Sequence, residues 1–134
     1  MNSKIYIVIP TVRNLKLLSA WKNEFKDAVG IIVEDHKDKQ IETPKKLFNK
    51  IYHYSWTDIN KDLGNKSWII PRKSSAIRSY GFYKAYQQGA EIIITIDDDC
   101  IPYEKNFVKK HERNLNQQVP NRWFPTNPLH DYWY

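Results

Sequence analysis

Glu91-Ile92-Ile93-Ile94-Thr95-Ile96-Asp97-Asp98-Asp99-Cys100-Ile101-Pro102 carries an apolar, β-branched run straight into three carboxylates. The run Ile92–Ile96 shows no polar alternation, the pattern of a strand buried on both faces in the middle of a parallel sheet. Three adjacent like charges at the mouth of such a strand repel one another. A divalent cation with oxygen ligands offsets that repulsion, and the carboxyl ends of parallel strands are where open α/β sheets bind ligands. A solvated acidic turn that merely follows a strand is the competing reading, and these residues alone leave it open.

Upstream, Lys4–Ile9 reads as a first buried strand, which Pro10 should end because it has no N–H to donate. Thr11–Asn14 form the turn. Leu15, Leu18, Trp21 and Phe25 are spaced by three and four, marking one face of a helix over 15–25. Ile31-Ile32-Val33 is the second strand and closes on Glu34-Asp35-His36, which completes a βαβ unit with a right-handed crossover. Residues 37–50 are charged, contain Pro44 and read as a loop with a helical turn near 45–48, followed by a short strand, Ile51–Trp56. Thr57 is the expected N-cap and Gly64 the C′ residue of a helix over Asp58–Leu63. Ser74 or Ser75 caps a longer helix carrying Ala76, Ile77, Tyr80, Tyr83 and Tyr86 and ending at Gly89. Tyr103–Leu115 reads as an amphipathic helix with Phe107, Val108 and His111 facing inward, and Val119–Tyr134 as an extended tail.

A length of 134 residues predicts a single domain, 1–134, and 41% hydrophobic residues suffice for a core. The one cysteine, Cys100, excludes an internal disulfide framework and a four-cysteine zinc site. No apolar run is long enough to span a bilayer and no signal-type segment opens the chain, so the expectation is a soluble, cytoplasmic protein. Lys and Arg number 21 against 15 Asp and Glu, a formal charge of +6 that suits an anionic partner. Phosphate-bearing small molecules, nucleic acid and anionic lipid all satisfy it.

In a parallel sheet, alternate turns converge on one edge, and four chemically suggestive pieces belong there: Pro10–Arg13, Glu34-Asp35, Ser75–Arg78 and Asp97–Asp99. Together they supply a hydrogen-bonding turn, a lone carboxylate, a helix start bearing an arginine, and an acidic cluster. That inventory suits a nucleoside diphosphate-linked ligand. The helix start and Arg78 would face phosphate oxygens, a divalent ion would bridge them to the aspartates, and Asp35 would accept from a base N–H. Each residue also has a plainer reading. Arg78 serves equally as a surface cation, Asp35 as a loop cap, Arg13 as an exposed first-turn residue, the tyrosines as packing and Cys100 as a small buried residue.

Five segments, in order and in register, resemble the reversibly glycosylated polypeptides, the UDP-arabinopyranose mutases of GT-A type. They are Ile7–Leu15, Ile31–Asp35, Asp58-Ile59-Asn60 with Leu63-Gly64, Ser75–Gly81 and Thr95–Cys100, and the likeness runs from Lys4 to about Thr126. The resemblance implies an α/β, Rossmann-like GT-A nucleotide-diphospho-sugar transferase fold, a mostly parallel sheet flanked by helices and here truncated. It implies a metal-dependent UDP-sugar glycosyltransferase or mutase that interconverts UDP-arabinopyranose and UDP-arabinofuranose. Asp97, Asp98 and Asp99 would hold Mn²⁺ or Mg²⁺, with Asp99 the principal ligand, Asp97 lying nearer the ribose or the ion and Asp98 assisting. Thr11 and Arg13 would line the uridine pocket, Asp35 would meet the uracil, and Ser75 and Arg78 the diphosphate side. Two departures stand out: Ser74, preceded by Lys73, replaces an aspartate of the plant members, and family members run well beyond Tyr134. A homo- or hetero-oligomer would then supply the missing part. The sequence identifies no catalytic base.

Two other classes remain. A basic nucleic-acid-binding module fits the charge and the aromatics, although scattered lysines and three aspartates at a strand mouth argue against it. A non-catalytic remnant of the family is the other.

Overall fold

The computed structural model describes residues 3–117. Four strands form an all-parallel sheet in the order β3-β2-β1-β4: β1 (Ile5–Thr11), β2 (Val29–Glu34), β3 (Lys50–Tyr54) and β4 (Ile92–Thr95). With helices on both faces, this is the α/β architecture the sequence predicts. The strand period of two sends Ile7, Ile9, Ile32, Ile92 and Ile94 into one core and Tyr6, Val8, Ile31 and Val33 into the other. The central strands β1 and β2 are buried on both sides, as the unbroken apolar runs predict.

Strand β4 departs from the expectation of a central strand. It lies at the sheet edge with alternating burial, and Ile93 is 38% exposed. Ile92, Ile94 and Ile96 face the packed side. An apolar run reveals strand character but not place in the sheet. Pro10 likewise fails to end β1, which continues to Thr11 beside Glu34. The Ile96 N–H donates to the Val8 carbonyl. Pro10, two residues on, has the same outlook, so its missing donor lies past the end of β4 and no ladder bond is lost.

On the first face, a 3₁₀ helix (Lys16–Trp21) runs into α1 (Lys22–Phe25), where the apolar spacing predicts one continuous helix. Leu15, Leu18 and Trp21 recur every third residue, which is the 3₁₀ period, and only the step to Phe25 is four. All four are buried. Residues 45–48 form no helical turn, but Leu47 and Phe48 are buried and Phe48 stacks on Phe25. Helix α4 (Phe107–Asn116) begins later than expected and turns Phe107 and Val108 toward this core. His111 is exposed and lies against the Phe107 ring instead of facing inward.

On the second face, α2 (Trp56–Leu63) is capped by Ser55 and not by Thr57. Ser55 and Asp58 exchange side-chain and backbone hydrogen bonds as a capping box, while the Thr57 hydroxyl donates to the Lys37 carbonyl. Ser74 accepts from the Ala76 N–H, opening a 3₁₀ turn (Ser75–Ile77) that leads into α3 (Arg78–Gln87). Ile77, Tyr80 and Ala85 pack on the sheet, whereas Tyr83 and Tyr86 face outward. Gly81 sits so close to β1 that a Cβ there would lie 2.4 Å from Val8 Cγ1. Among the described residues, no helix is long and apolar enough to cross a membrane. The expected tail, Val119–Tyr134, lies outside them.

Candidate functional site

The carboxyl ends of β1, β2 and β4 open on a cleft of about 480 Å³. Its walls are Pro10–Arg13, Asp35, Lys73–Ser75 with Ile77, and Asp97–Asp99. Of the four pieces expected to converge, Pro10–Arg13 and Asp97–Asp99 do so in full, Glu34-Asp35 contributes Asp35 alone, and Ser75–Arg78 contributes Ser75 and Ile77 but not Arg78.

The three aspartates divide by burial. Beyond β4 the chain turns, the Cys100 N–H donating to the Asp97 carbonyl, and this turn leaves Asp98 buried with Asp97 and Asp99 exposed. The Asp98 side chain is only 6% exposed and is held from β1. The Thr11 hydroxyl donates to Asp98 Oδ2 at 2.7 Å. Arg13 grips both oxygens of Asp98, with Nε at 3.1 and 3.2 Å and Nη2 3.0 Å from Oδ1. Hydrogen bonding and charge from Asp98 raise the Arg13 pKa above its ordinary value. Arg13 Nη2 also lies 3.6 Å from Asp99.

Asp97, Asp99 and Cys100 present two carboxylate oxygens and a thiol within 4.8 Å of one another, and Asp98 stands outside this cluster. Two hard oxygen donors on one exposed side fit Mg²⁺ or Mn²⁺, which complete their shells with water and phosphate oxygens. The thiol is the poorer donor for such ions. Trp21 fixes the loop from below, its indole N–H donating to the Cys100 carbonyl at 2.8 Å.

Asp35 joins the cleft to the α3 entry. Its carboxylate accepts from the Trp56 indole N–H at 2.8 Å, the Lys73 N–H at 3.0 Å and the Ser74 N–H at 2.8 Å. Two successive backbone donors converge on the carboxylate in a nest-like turn, in which Lys73 adopts φ 54°. The sequence signalled Lys73 only as a departure from the plant pattern. It nonetheless lines the cleft and forms no ion pair among the described residues.

Arg78 lies behind the wall and not on it. Its Nε donates to the Ser75 carbonyl at 3.0 Å, Nη1 to Thr95 Oγ1 at 3.1 Å, and Nη2 to Asp97 Oδ1. Ser75 is exposed on the lining. Beneath Asp35, the buried Glu34 accepts from the Gln40 and Ile41 N–H groups and pairs with His53 Nε2 at 2.7 Å. Neither the Glu34 pair nor Trp56 was distinguishable in the sequence from ordinary core and loop residues.

Comparison with known proteins agrees with this architecture. The family described as "Reversibly glycosylated polypeptide" matches residues 1–133. The chain is 36% identical over 135 residues to "Probable UDP-arabinopyranose mutase 1" of Pisum sativum, covering 96% of this chain and 34% of that protein. It is 34% identical over 130 residues to "UDP-arabinopyranose mutase 1" of Oryza sativa subsp. japonica and 35% over 129 to "UDP-arabinopyranose mutase 3" of Arabidopsis thaliana, with the same coverage. The chain thus spans about a third of the length of the curated relatives it matches. On a match that takes in all but one of its residues, the chain belongs to the reversibly glycosylated polypeptide family.

Proposed function

We propose that this chain is the nucleotide-binding part of a UDP-sugar enzyme of GT-A type, a mutase or glycosyltransferase acting on a UDP-pentose such as UDP-arabinopyranose. The observation that carries the reading is the pairing of Asp97 and Asp99 on one exposed side of a cleft at the carboxyl ends of a parallel sheet. In this reading Asp97 and Asp99 would hold Mn²⁺ or Mg²⁺, which would supply positive charge to offset that of the diphosphate. Asp98 takes no part in ligation and instead fixes Thr11 and Arg13 as the wall beside the uridine. Asp35 shapes the uracil end through the turn it holds, with one lone pair left for a base N–H. Ser75 and the Lys73 amine face the diphosphate, the place that the sequence reading gave to Arg78.

The three aspartates at the cleft disfavour a bare polyphosphate, so the reading requires metal-dependent binding. A titration of the ¹⁵N-labelled chain with UDP and Mg²⁺, followed by amide resonances, tests it. Shifts should concentrate at Thr11–Arg13, Asp35, Lys73–Ser75 and Asp97–Cys100. Absence of shifts at saturating UDP, or shifts confined to the β3 edge, would refute the assignment.

A further inference from the structure

We propose that Arg78 is a positioning residue that braces Asp97 for metal binding and ties the Ser75 wall of the cleft to the aspartate wall. This rests on the reading of Asp97 as a metal ligand. One guanidinium reaches three groups on two elements: the Ser75 carbonyl at the start of the α3 entry, Thr95 Oγ1 at the end of β4, and Asp97 Oδ1 just beyond it. Thr95 is itself fixed, because its hydroxyl donates to the Val8 carbonyl at 3.0 Å on the neighbouring strand. The chain of contacts therefore runs from the central strand through Thr95 and Arg78 to Asp97.

Geometry explains why an arginine is needed here. Asp97 is the second residue past β4 and its side chain is 56% exposed, so nothing in the sheet holds its rotamer. Arg78 engages one oxygen, Oδ1, and leaves the other for a cation. Its side chain is 21% exposed and off the cleft lining, so it acts from behind the ligand. Carboxylates that bind metals are themselves held by outer hydrogen bonds, and loss of these partners typically weakens metal binding about 10- to 100-fold. Lysine cannot replace the fork, since it offers a point charge without three fixed directions.

Charge alone predicts the reverse. A cation beside Asp97 competes with Mn²⁺, so an arginine acting only electrostatically would weaken the site and its removal would tighten it.

The two readings separate in Mn²⁺ titrations of the nucleotide-free chain, followed by loss of the free-ion paramagnetic resonance signal. Arg78→Ala and Arg78→Lys should both weaken Mn²⁺ binding by about 10-fold or more, and Thr95→Val by a smaller factor in the same direction. Tighter binding in R78A, or wild-type affinity in R78K, overturns the brace. Amide hydrogen exchange on the metal-free variants gives a readout independent of the ion: exchange at Ser75–Ile77 and Asp97–Cys100 should quicken together, and unchanged exchange in R78K also overturns the brace. A wild-type chain that binds no Mn²⁺ removes the metal reading itself, and the tie between the walls then stands or falls on exchange alone.

Discussion

Arg13 closes on Asp98 across 85 residues of sequence, with Nε and Nη2 both about the carboxylate and the Thr11 hydroxyl on its other side. The β1 turn and the acidic loop are thereby one unit. Replacing Asp98 by Ala removes the charged acceptor that Thr11 and Arg13 share and leaves the Thr11 hydroxyl only the Arg13 carbonyl, at a cost of about 1–3 kcal/mol. Chemical denaturation should register that loss for D98A and almost none for D99A, whose carboxylate is exposed. Equal effects of the two variants would contradict the division of labour among the aspartates.

Asp35 holds the turn before α3 through three donors. Asp35→Ala should lower stability by about 1–3 kcal/mol and free the Trp56 indole, changing the tryptophan emission. Asp35→Asn keeps one carbonyl acceptor and should fall between wild type and D35A. Wild-type emission in D35A would argue that the turn is held by other means.

At Gly81, α3 lies close against the sheet, with Val8 Cγ1 and Val33 Cγ2 at 2.4 and 3.1 Å from a Cβ placed there. Both neighbours are buried core side chains with no room to yield. Gly81→Ala should therefore destabilise by about 1–3 kcal/mol through overpacking, although alanine is the better helix former. A thermal melt that rises in G81A would show the contact to be looser than described.

Acid stability should depend on α2. Burial alone would raise the Asp58 pKa, but the Ser55 N–H and hydroxyl and the nearby Lys39 outweigh it and hold the carboxyl below its ordinary value of 3.8. Asp62 is also lowered, by the Tyr80 hydroxyl first, against a smaller effect of burial, and then by Lys84. A carboxyl lowered in the folded state stabilises fully above 3.8, and that contribution disappears as pH falls through the lower folded value. Unfolding free energy should thus decline below about pH 4, with a shallower decline in Asp58→Asn and Asp62→Asn. An unaltered slope in both variants would place the acid sensitivity elsewhere.

Much of this was legible because periodicity carries it. The apolar runs of β1 and β2, the convergence of Thr11, Asp35 and Asp97 at one sheet edge, and a serine cap at Ser74 or Ser75 all follow from spacing and residue type. What escaped was long-range partnership. No local pattern tells that Asp98 belongs to Arg13, that Arg78 serves Asp97, or that Asp35 is spent on Trp56 and two backbone N–H groups. The edge position of β4 escaped for the same reason: Ile93 is as apolar as its neighbours, and only the pairing order shows that its side of the strand is uncovered. The division of Asp98 from Asp97 and Asp99 escaped as well, because it depends on the turn closed by the Cys100 N–H on the Asp97 carbonyl and on the Arg13 partnership.

In the proposed function the cleft would bind a uridine diphosphate through a metal held by Asp97 and Asp99. Calorimetric titration of UDP into the chain with and without Mn²⁺, repeated with Asp99→Ala, measures it most directly. The expected result is heat of binding that requires Mn²⁺ and is lost in D99A while the variant stays folded. Binding that is indifferent to Mn²⁺ and to D99A, or no binding by the folded wild type in either condition, would contradict it.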